Sequence, residues 1–482
     1  MTREIRILLL LLAAFLLVNG LTLSRYPSVW VDEVQFADPA VSLASGEGFT
    51  STAWFAQDST QFWAGNVPLY SGLLSVWLRV FGISILAERS LNLVIFAAVV
   101  LLIWRWMRNS QTVTSLTWRL IAVTLLLCGH AMVFSYRSGR YDALGMVLAA
   151  LVLNLWQRPL WLVPVGLLIP FAGLQLIPAG LVLGVIVSVF GGRPAAIRAA
   201  TLTAGIGIGA VCLRSFYMLN GAWEGFRAST SAIGQMRQSI VEKLLSLPSD
   251  YVTDKSRVLV AIALLILLWS GRSMLQSATR RIAGFAIAAL ILLPAALHMA
   301  GKFPIYYGWM VFIPLVIALA HSAERLPVAR YSVGALIVLA ALAGLPLRML
   351  GAVSNFSQRD PARVEAFVRQ AVPQNTTVVA DFKTYYALRS AGIRPLLPTY
   401  LHALTAAERE SVETLLLRPE DVASARKELG GQWVATEIVL SAPAPPTLLK
   451  KLVAELREEN FEIRVYRRIA SAPTLASLQD NR

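Results

Sequence analysis

The chain has 482 residues, of which 56% are hydrophobic and only 15% charged, and its mean hydropathy is +0.61. An ordinary soluble domain carries about a quarter charged residues. So few charges cannot cover this much apolar surface in water, which excludes a soluble enzyme with a small anchor. The net charge of +15 invites a nucleic-acid reading, but the placement of the charges rules that partner out. Residues 355–482 hold 17 Lys+Arg against 15 Asp+Glu, close to balance. The excess lies in the apolar first 354 residues, where cations beside apolar segments set orientation in a bilayer. The two cysteines, Cys128 and Cys212, sit in separate apolar runs. They form neither a disulfide framework nor a CxxC metal site.

In chain order, the first element is an apolar run over 5–24, preceded by Arg3 and Arg6. It reads as a retained spanning helix rather than a signal peptide, because no clear small-residue cleavage site follows it. Further apolar runs lie at 85–104, 118–136, 142–157, 159–175, 178–191, 198–218, 257–270, 282–300, 306–322 and 331–350. By the criterion of ~20 residues per span, the sequence predicts about eleven transmembrane helices. The pair around Pro164, Pro170 and Pro178 is the weakest part of that count. With the N-terminus in the cytoplasm, Arg105, Arg108, Arg158, Arg193, Arg198, Arg272, Arg280, Arg281, Arg325 and Arg330 fall on cytoplasmic turns, with Glu324 the one acidic exception among them. Asp32, Glu33, Asp142, Glu224 and Asp254 fall on the other side, as the positive-inside pattern requires. An odd number of spans then puts the C-terminal region outside. The compact Arg-rich turns point to a bacterial inner membrane.

The expected organisation is a transmembrane domain over 1–354, with a long first outer loop at 25–66, and an extracytoplasmic α/β domain over 355–482. In that second domain, 361–371 reads as an amphipathic helix, 376–381 as a buried strand and 383–391 as a short helix. Residues 433–436 and 462–466 read as strands around a helix at 446–458. The last dozen residues read as disordered. No GxGxxG or P-loop pattern follows the 376–381 strand, so a nucleotide site has no support there. The stretch 232–247 reads as an interfacial helix.

The first loop is the most unusual stretch. It holds five of the thirteen acids in residues 1–354, beginning with Asp32 and Glu33 just after the first apolar run. An ionisable group at the membrane interface is costly without a partner or a task. The plain structural alternative is that Asp32 caps a helix starting near Glu33. After the loop come Val67-Pro68-Leu69-Tyr70, an amphipathic stretch ending at Phe81-Gly82, and Glu88-Arg89. Further on stand Arg140-Tyr141-Asp142-Ala143-Leu144, and then Lys302-Phe303-Pro304-Ile305-Tyr306-Tyr307 with Pro314.

That ordered set, spread over roughly residues 1–350, resembles the GT-C glycosyltransferases. The nearest branch is the one of the protein mannosyltransferases and the lipid A aminoarabinose transferases. The resemblance implies an integral-membrane enzyme that takes a sugar from a polyprenyl-phosphate donor. It matches Asp32 to the family's catalytic Asp. Two departures stand out: Val67-Pro68 where the family often has Pro-Pro, and Gln175 near the place where many members carry a Lys.

The residue types fit such chemistry on their own terms. Transfer from a phosphate-linked sugar to a hydroxyl needs a base near the acceptor and cations near the leaving phosphate. Asp32 is the expected base, with Glu33 beside it. Asp142 would orient the acceptor or, with Asp32, hold a divalent cation. The resembling family has members with and without a metal, so the cofactor is either a divalent cation or none. Arg137, Arg140 and Lys302 end apolar runs on the side of Asp32 and would clamp phosphate. The alternative for them is snorkelling to headgroups. Arg89, His298, Tyr306 and Tyr307 complete the candidate binding set, although interfacial tyrosines are common as belt residues. His130 reads as a buried contact between helices. The four histidines are too dispersed for a metal site. The expected partners are the polyprenyl-phosphate sugar, membrane lipids, and an acceptor that is a lipid, a glycan or a protein. Two rival readings remain. A transporter or flippase would place its charged sites at mid-membrane, commonly with inverted repeats, and no repeat is visible. A non-catalytic scaffold would leave the first-loop acids unexplained.

Overall fold

A computed structural model of the chain describes residues 3–55, 57–235, 253–301, 304–354, 356–442 and 461–469. It is mostly helical, with one small sheet, and divides into two compact units. The first comprises Met1–Leu23, Asn66–Leu73 and Arg89–Leu350; the second comprises Ser24–Gly65, Leu74–Glu88 and Gly351–Arg482.

Every apolar run named above is largely helical, with 118–136 and 331–350 each divided over two helices. Length, however, supports fewer spans than eleven. Among the described residues, five helices are long and apolar enough to cross a membrane: Arg3–Thr22, Ile85–Asn109, Leu176–Leu219, Ser277–Met299 and Arg330–Ser354. The pair Leu116–Cys128 and His130–Arg137, bent by 54°, makes a sixth if it counts as one span. Asp142–Leu155 and Pro159–Ala172 have 14 residues each, short of the ~20 that a bilayer core requires. Two of the runs merge into the 44-residue helix Leu176–Leu219, which is broken at Gly192 (φ 68°). Pro194 follows the break and has no N–H to continue the ladder.

Small residues let the helices of the first unit approach closely. A Cβ on Gly205 would fall 2.5 Å from the Val163 carbonyl oxygen, and one on Gly209 would fall 2.3 Å from that of Leu167. These two glycines, four apart, seat the Pro159–Ala172 helix on the second half of the long helix, as a GxxxG pattern does in membranes. At the bend near Gly129, a Cβ would strike the Phe312 ring at 2.3 Å.

The second unit contains a four-stranded sheet in the order β1-β2-β4-β3, with β1 Thr377–Ala380, β2 Val412–Leu417, β3 Trp433–Ala442 and β4 Phe461–Arg468. β1 and β2 run parallel, and the other two pairings are antiparallel. Alternate side chains divide between two apolar layers. Val378, Leu416 and Val465 pack with Phe367 and Leu388 on one face, and Val379, Leu415 and Tyr466 with Tyr400 and Trp433 on the other. The helix expected at 361–371 is Pro361–Ala371, capped by Asp360. β1, β3 and β4 lie where strands were expected. β2 was not anticipated from the sequence. It follows a six-residue helix, Ala406–Ser411, that opens with a Thr405/Glu408 capping box, and its Leu415-Leu416-Leu417 run carries no period of two. The helix expected at 446–458 and the last dozen residues lie outside the described residues, as does most of the stretch 232–247.

First-loop residues are built into this second unit. Leu397 N–H donates to the Thr52 carbonyl at 3.1 Å, Thr52 Oγ1 donates to the Pro395 carbonyl at 2.8 Å, and Thr399 Oγ1 donates to the Ala53 carbonyl at 2.8 Å. Trp63 meets Phe49 and Trp54 edge-on, at 5.4 and 6.0 Å between ring centroids.

Candidate functional site

In the first unit, four of the expected residues converge. Arg140 and Asp142 are both buried, and Arg140 Nε lies 2.8 Å from Asp142 Oδ2. Asp142 opens the helix Asp142–Leu155, where a carboxylate is favoured by the unpaired N–H groups of the first turn. The guanidinium carbon of Arg140 sits 4.6 Å from the Tyr306 ring centroid. Tyr307 is buried, and its hydroxyl lies 3.3 Å from that of Tyr141. The backbone turn carrying Arg140 is held by Asn92, whose amide donates to the Ser138 and Arg140 carbonyls at 2.6 and 2.7 Å. An arginine contacting lipid headgroups must reach the surface. At 2% exposure this one does not.

Two residues that the sequence reading did not single out belong to the same neighbourhood. Asp254 caps the helix Lys255–Ser270, accepting from Arg257 N–H at 3.1 Å. Both side chains are buried and pack beside Gly308, the residue after Tyr307. A Cβ there would fall 3.4 Å from Asp254 Oδ2 and 3.5 Å from Arg257 Nη1. The only signal in the sequence was an Asp and an Arg at the head of an otherwise apolar run.

Other expected residues lie elsewhere. Arg137 is fully buried and ties its helix to the first one, bonding Asn19 Oδ1, the Thr22 carbonyl at 2.9 Å and Thr22 Oγ1 at 3.1 Å. Arg89 donates to the Leu23 carbonyl at 2.8 Å. His298 is buried in the last turn of Ser277–Met299. Lys302 lies outside the described residues. His130, expected as a buried contact, is half-buried and meets Arg348 between helices. Gln175 is buried, and its Nε2 has no hydrogen-bond partner among the described residues.

One helical turn along from Asp142, Gly145 lines an apolar cavity of about 470 Å³. Leu148, Leu176, Leu183, Phe285 and Ile313 also line it, together with Trp309. Gly145 lies under Trp309, since a Cβ there would fall 2.9 Å from that indole. The cavity falls within the range of about 300–1,000 Å³ usual for ligand sites.

Asp32 and Glu33 belong to the second unit. They stand in the first turn of the helix Val31–Ala44, whose N-cap is Trp30 and which has no side-chain cap. Asp32 is thus inside the helix and is not its cap. Glu33 is fully buried, as is Glu88, which accepts from the Tyr386 hydroxyl. Burial first, then the charges of Glu88 and Glu33, pushes the Tyr386 phenol well above its ordinary value. Asp38 is held by three donors: Tyr385 Oη at 2.6 Å, and Ser51 Oγ and Thr52 N–H at 2.7 Å each. Among the described residues, no group of three His, Cys, Asp or Glu could hold a metal ion.

No family model matches the chain, and no curated protein matches it. Among solved structures, it is similar to a crystal structure of the Archaeoglobus fulgidus oligosaccharyltransferase in complex with Zn and sulfate. The identity is 12% and the TM-score 0.41, over 90% of this chain and 72% of that one.

Proposed function

We propose that this protein is an integral-membrane glycosyltransferase. It moves a sugar, with inversion, from a polyprenyl-phosphate donor to a hydroxyl on a lipid, glycan or protein at the outer face of a bacterial inner membrane. The observation that carries this reading is the buried Arg140–Asp142 pair, flanked by Tyr306 and Tyr307, one helical turn from the apolar cavity at Gly145. A polyprenyl phosphate is an anionic head on a long apolar chain, and this end of the first unit offers a matching arrangement. Arg140 supplies a fixed guanidinium for the phosphate, with Arg257 and Lys302 as further cations. The cavity takes the first isoprene units. Asp142 costs free energy to bury unless it is paired, and its pairing holds the Arg140 fork in one orientation.

Negative charge grows on the leaving phosphate in the transition state, and cations already in place stabilise it there more than in the ground state. Asp32 takes the proton of the acceptor hydroxyl. Its support is the place in the sequence just after the first spanning helix, in the first turn of Val31–Ala44. The reading retains eleven membrane passages, with the short helices crossing in packed groups, the N-terminus in the cytoplasm and the second unit outside. The test is incubation of the purified protein in lipid with a panel of polyprenyl-phosphate sugars. Release of polyprenyl phosphate that depends on acceptor is expected. Absence of release across the panel, from a folded protein, rejects the reading.

A further inference from the structure

The second unit contains a cavity of about 460 Å³ that the transfer reaction does not use. It is formed where three stretches of chain meet: residues 24–29, residues 84–86, and the segment leading into the helix Pro361–Ala371. The residues Lys383, Tyr386 and Ser390 close it. Its place along the chain is informative. Ser24 lies two residues past the end of the spanning helix Arg3–Thr22, and Ile85 and Leu86 are the first two residues of the spanning helix Ile85–Asn109. Under the proposed membrane topology, a cavity built on the ends of two such helices falls at the depth of lipid headgroups.

The lining is cationic on one side and apolar on the other. Arg25, Arg359 and Lys383 come from three separate stretches of chain, and only Asp360 and Glu365 oppose them. Asp360 is already engaged: it caps the helix Pro361–Ala371 and pairs with Arg25 at 2.8 Å. Glu365 is drawn toward Arg369, 3.9 Å away on the same helix. Lys383 is buried, and its Nζ points to the Val29 carbonyl at 3.3 Å, while Arg359 lies over the Tyr26 ring at 5.7 Å. Pro27, Val29, Ile85 and Val364 supply the apolar wall, and Leu86 on the rim is exposed.

We propose that this cavity binds the anionic, phosphate-bearing headgroup of a bilayer lipid. The phosphate lies against Arg359 and Lys383, and the glycerol and first methylenes lie along Ile85 and Val364. A free phosphate ion would use the cations but gain nothing from the apolar wall, and it would not be delivered at headgroup depth. This site is independent of the transfer reading, because it is measured by binding and not by turnover.

The full chain, purified in a neutral detergent, is titrated with phosphatidylglycerol, with diacylglycerol and with inorganic phosphate, and occupancy is read by native mass spectrometry. Phosphatidylglycerol should bind, diacylglycerol should not, and inorganic phosphate at the same concentration should not displace the lipid. The double substitution Arg359→Gln, Lys383→Gln should weaken lipid binding by roughly thirtyfold, since each cation near a membrane surface contributes about fivefold. Ala362→Trp, at an exposed position on the cavity wall, should block the lipid while leaving the charges and the melting temperature unchanged. Undiminished lipid binding in Ala362→Trp overturns the proposal. So does displacement of the lipid by an equal concentration of inorganic phosphate, which would assign the cavity to a free anion.

Discussion

The Tyr385 hydroxyl donates to Asp38 Oδ1 at 2.6 Å, joining a helix of the first loop to the C-terminal part of the chain across 347 positions. Both groups are buried, and the other carboxylate oxygen is filled by Ser51 and Thr52. The bond is made away from bulk solvent. Burial first, and then the Asp38 charge, holds the phenol well above its ordinary value, so it stays a donor. Tyr385→Phe should therefore lower the stability of the second unit by about 1.5–3 kcal/mol. Thermal unfolding should register this as an earlier transition. A melting curve identical to that of the parent would show that the contact contributes nothing.

Asp32→Asn should abolish transfer and leave folding intact. The amide keeps the shape but takes no proton, and loss of a general base costs about 10²–10⁴-fold. Trp30, and not Asp32, is the N-cap of its helix, so no cap is lost with the carboxylate. Turnover in lipid and the melting temperature are measured together. Near-normal turnover removes Asp32 from the mechanism, and a collapsed fold assigns it a structural role.

Arg140→Lys and Lys302→Ala should depress turnover more than donor affinity. Removing one preorganised donor to a developing oxyanion costs about 10²–10³-fold in turnover. A lysine at 140 loses the planar fork that Asp142 and the Tyr306 ring hold in place, so it should not rescue. Single-turnover rates and donor titrations separate the two quantities. Wild-type rates in both variants would move the phosphate site elsewhere, with Arg257 the next residue to test.

Asp360 offers a pH test. Its carboxyl is lowered from the ordinary 3.8, first by the Ala362 N–H at the head of its helix and then by Arg25. The unfolded chain thus takes up this proton at a higher pH than the folded one. The stabilisation is fully present above the ordinary value and is lost as pH falls through the lowered one. The difference in melting temperature between the parent and Asp360→Asn should be flat above about pH 5 and shrink below about pH 4. A difference that grows on acidification would reverse the assignment.

A reporter active only in the cytoplasm should be silent when fused after Arg482 and active when fused before Met1. The warrant is the alternation of Arg-rich and acid-bearing connections. A strong C-terminal signal would mean an even number of passages. The short helices Asp142–Leu155 and Pro159–Ala172 would then be the first to recount.

The apolar runs told where helices form because helix formation in an apolar environment is local: a run that must satisfy its own backbone does so within itself. The same reasoning recovered the helix Pro361–Ala371 and three of the four strands, since periodicity reports which face is buried. It placed the break at Gly192, which lies between the apolar runs 178–191 and 198–218, but it could not say that Asp142–Leu155 is too short to span alone. Nor could it find β2, whose strand character comes from pairing with β1 and β4 and not from its own pattern. The separation between the candidate residues was equally invisible. Arg137 and Arg140 are three apart and read alike, yet one bonds to Asn19 and the other to Asp142. Asp254 and Arg257 joined the site unannounced. Arg140 meets a partner two residues along, whereas Arg137 meets one 118 positions away; that second contact joins segments distant along the chain, and no spacing within one segment encodes it.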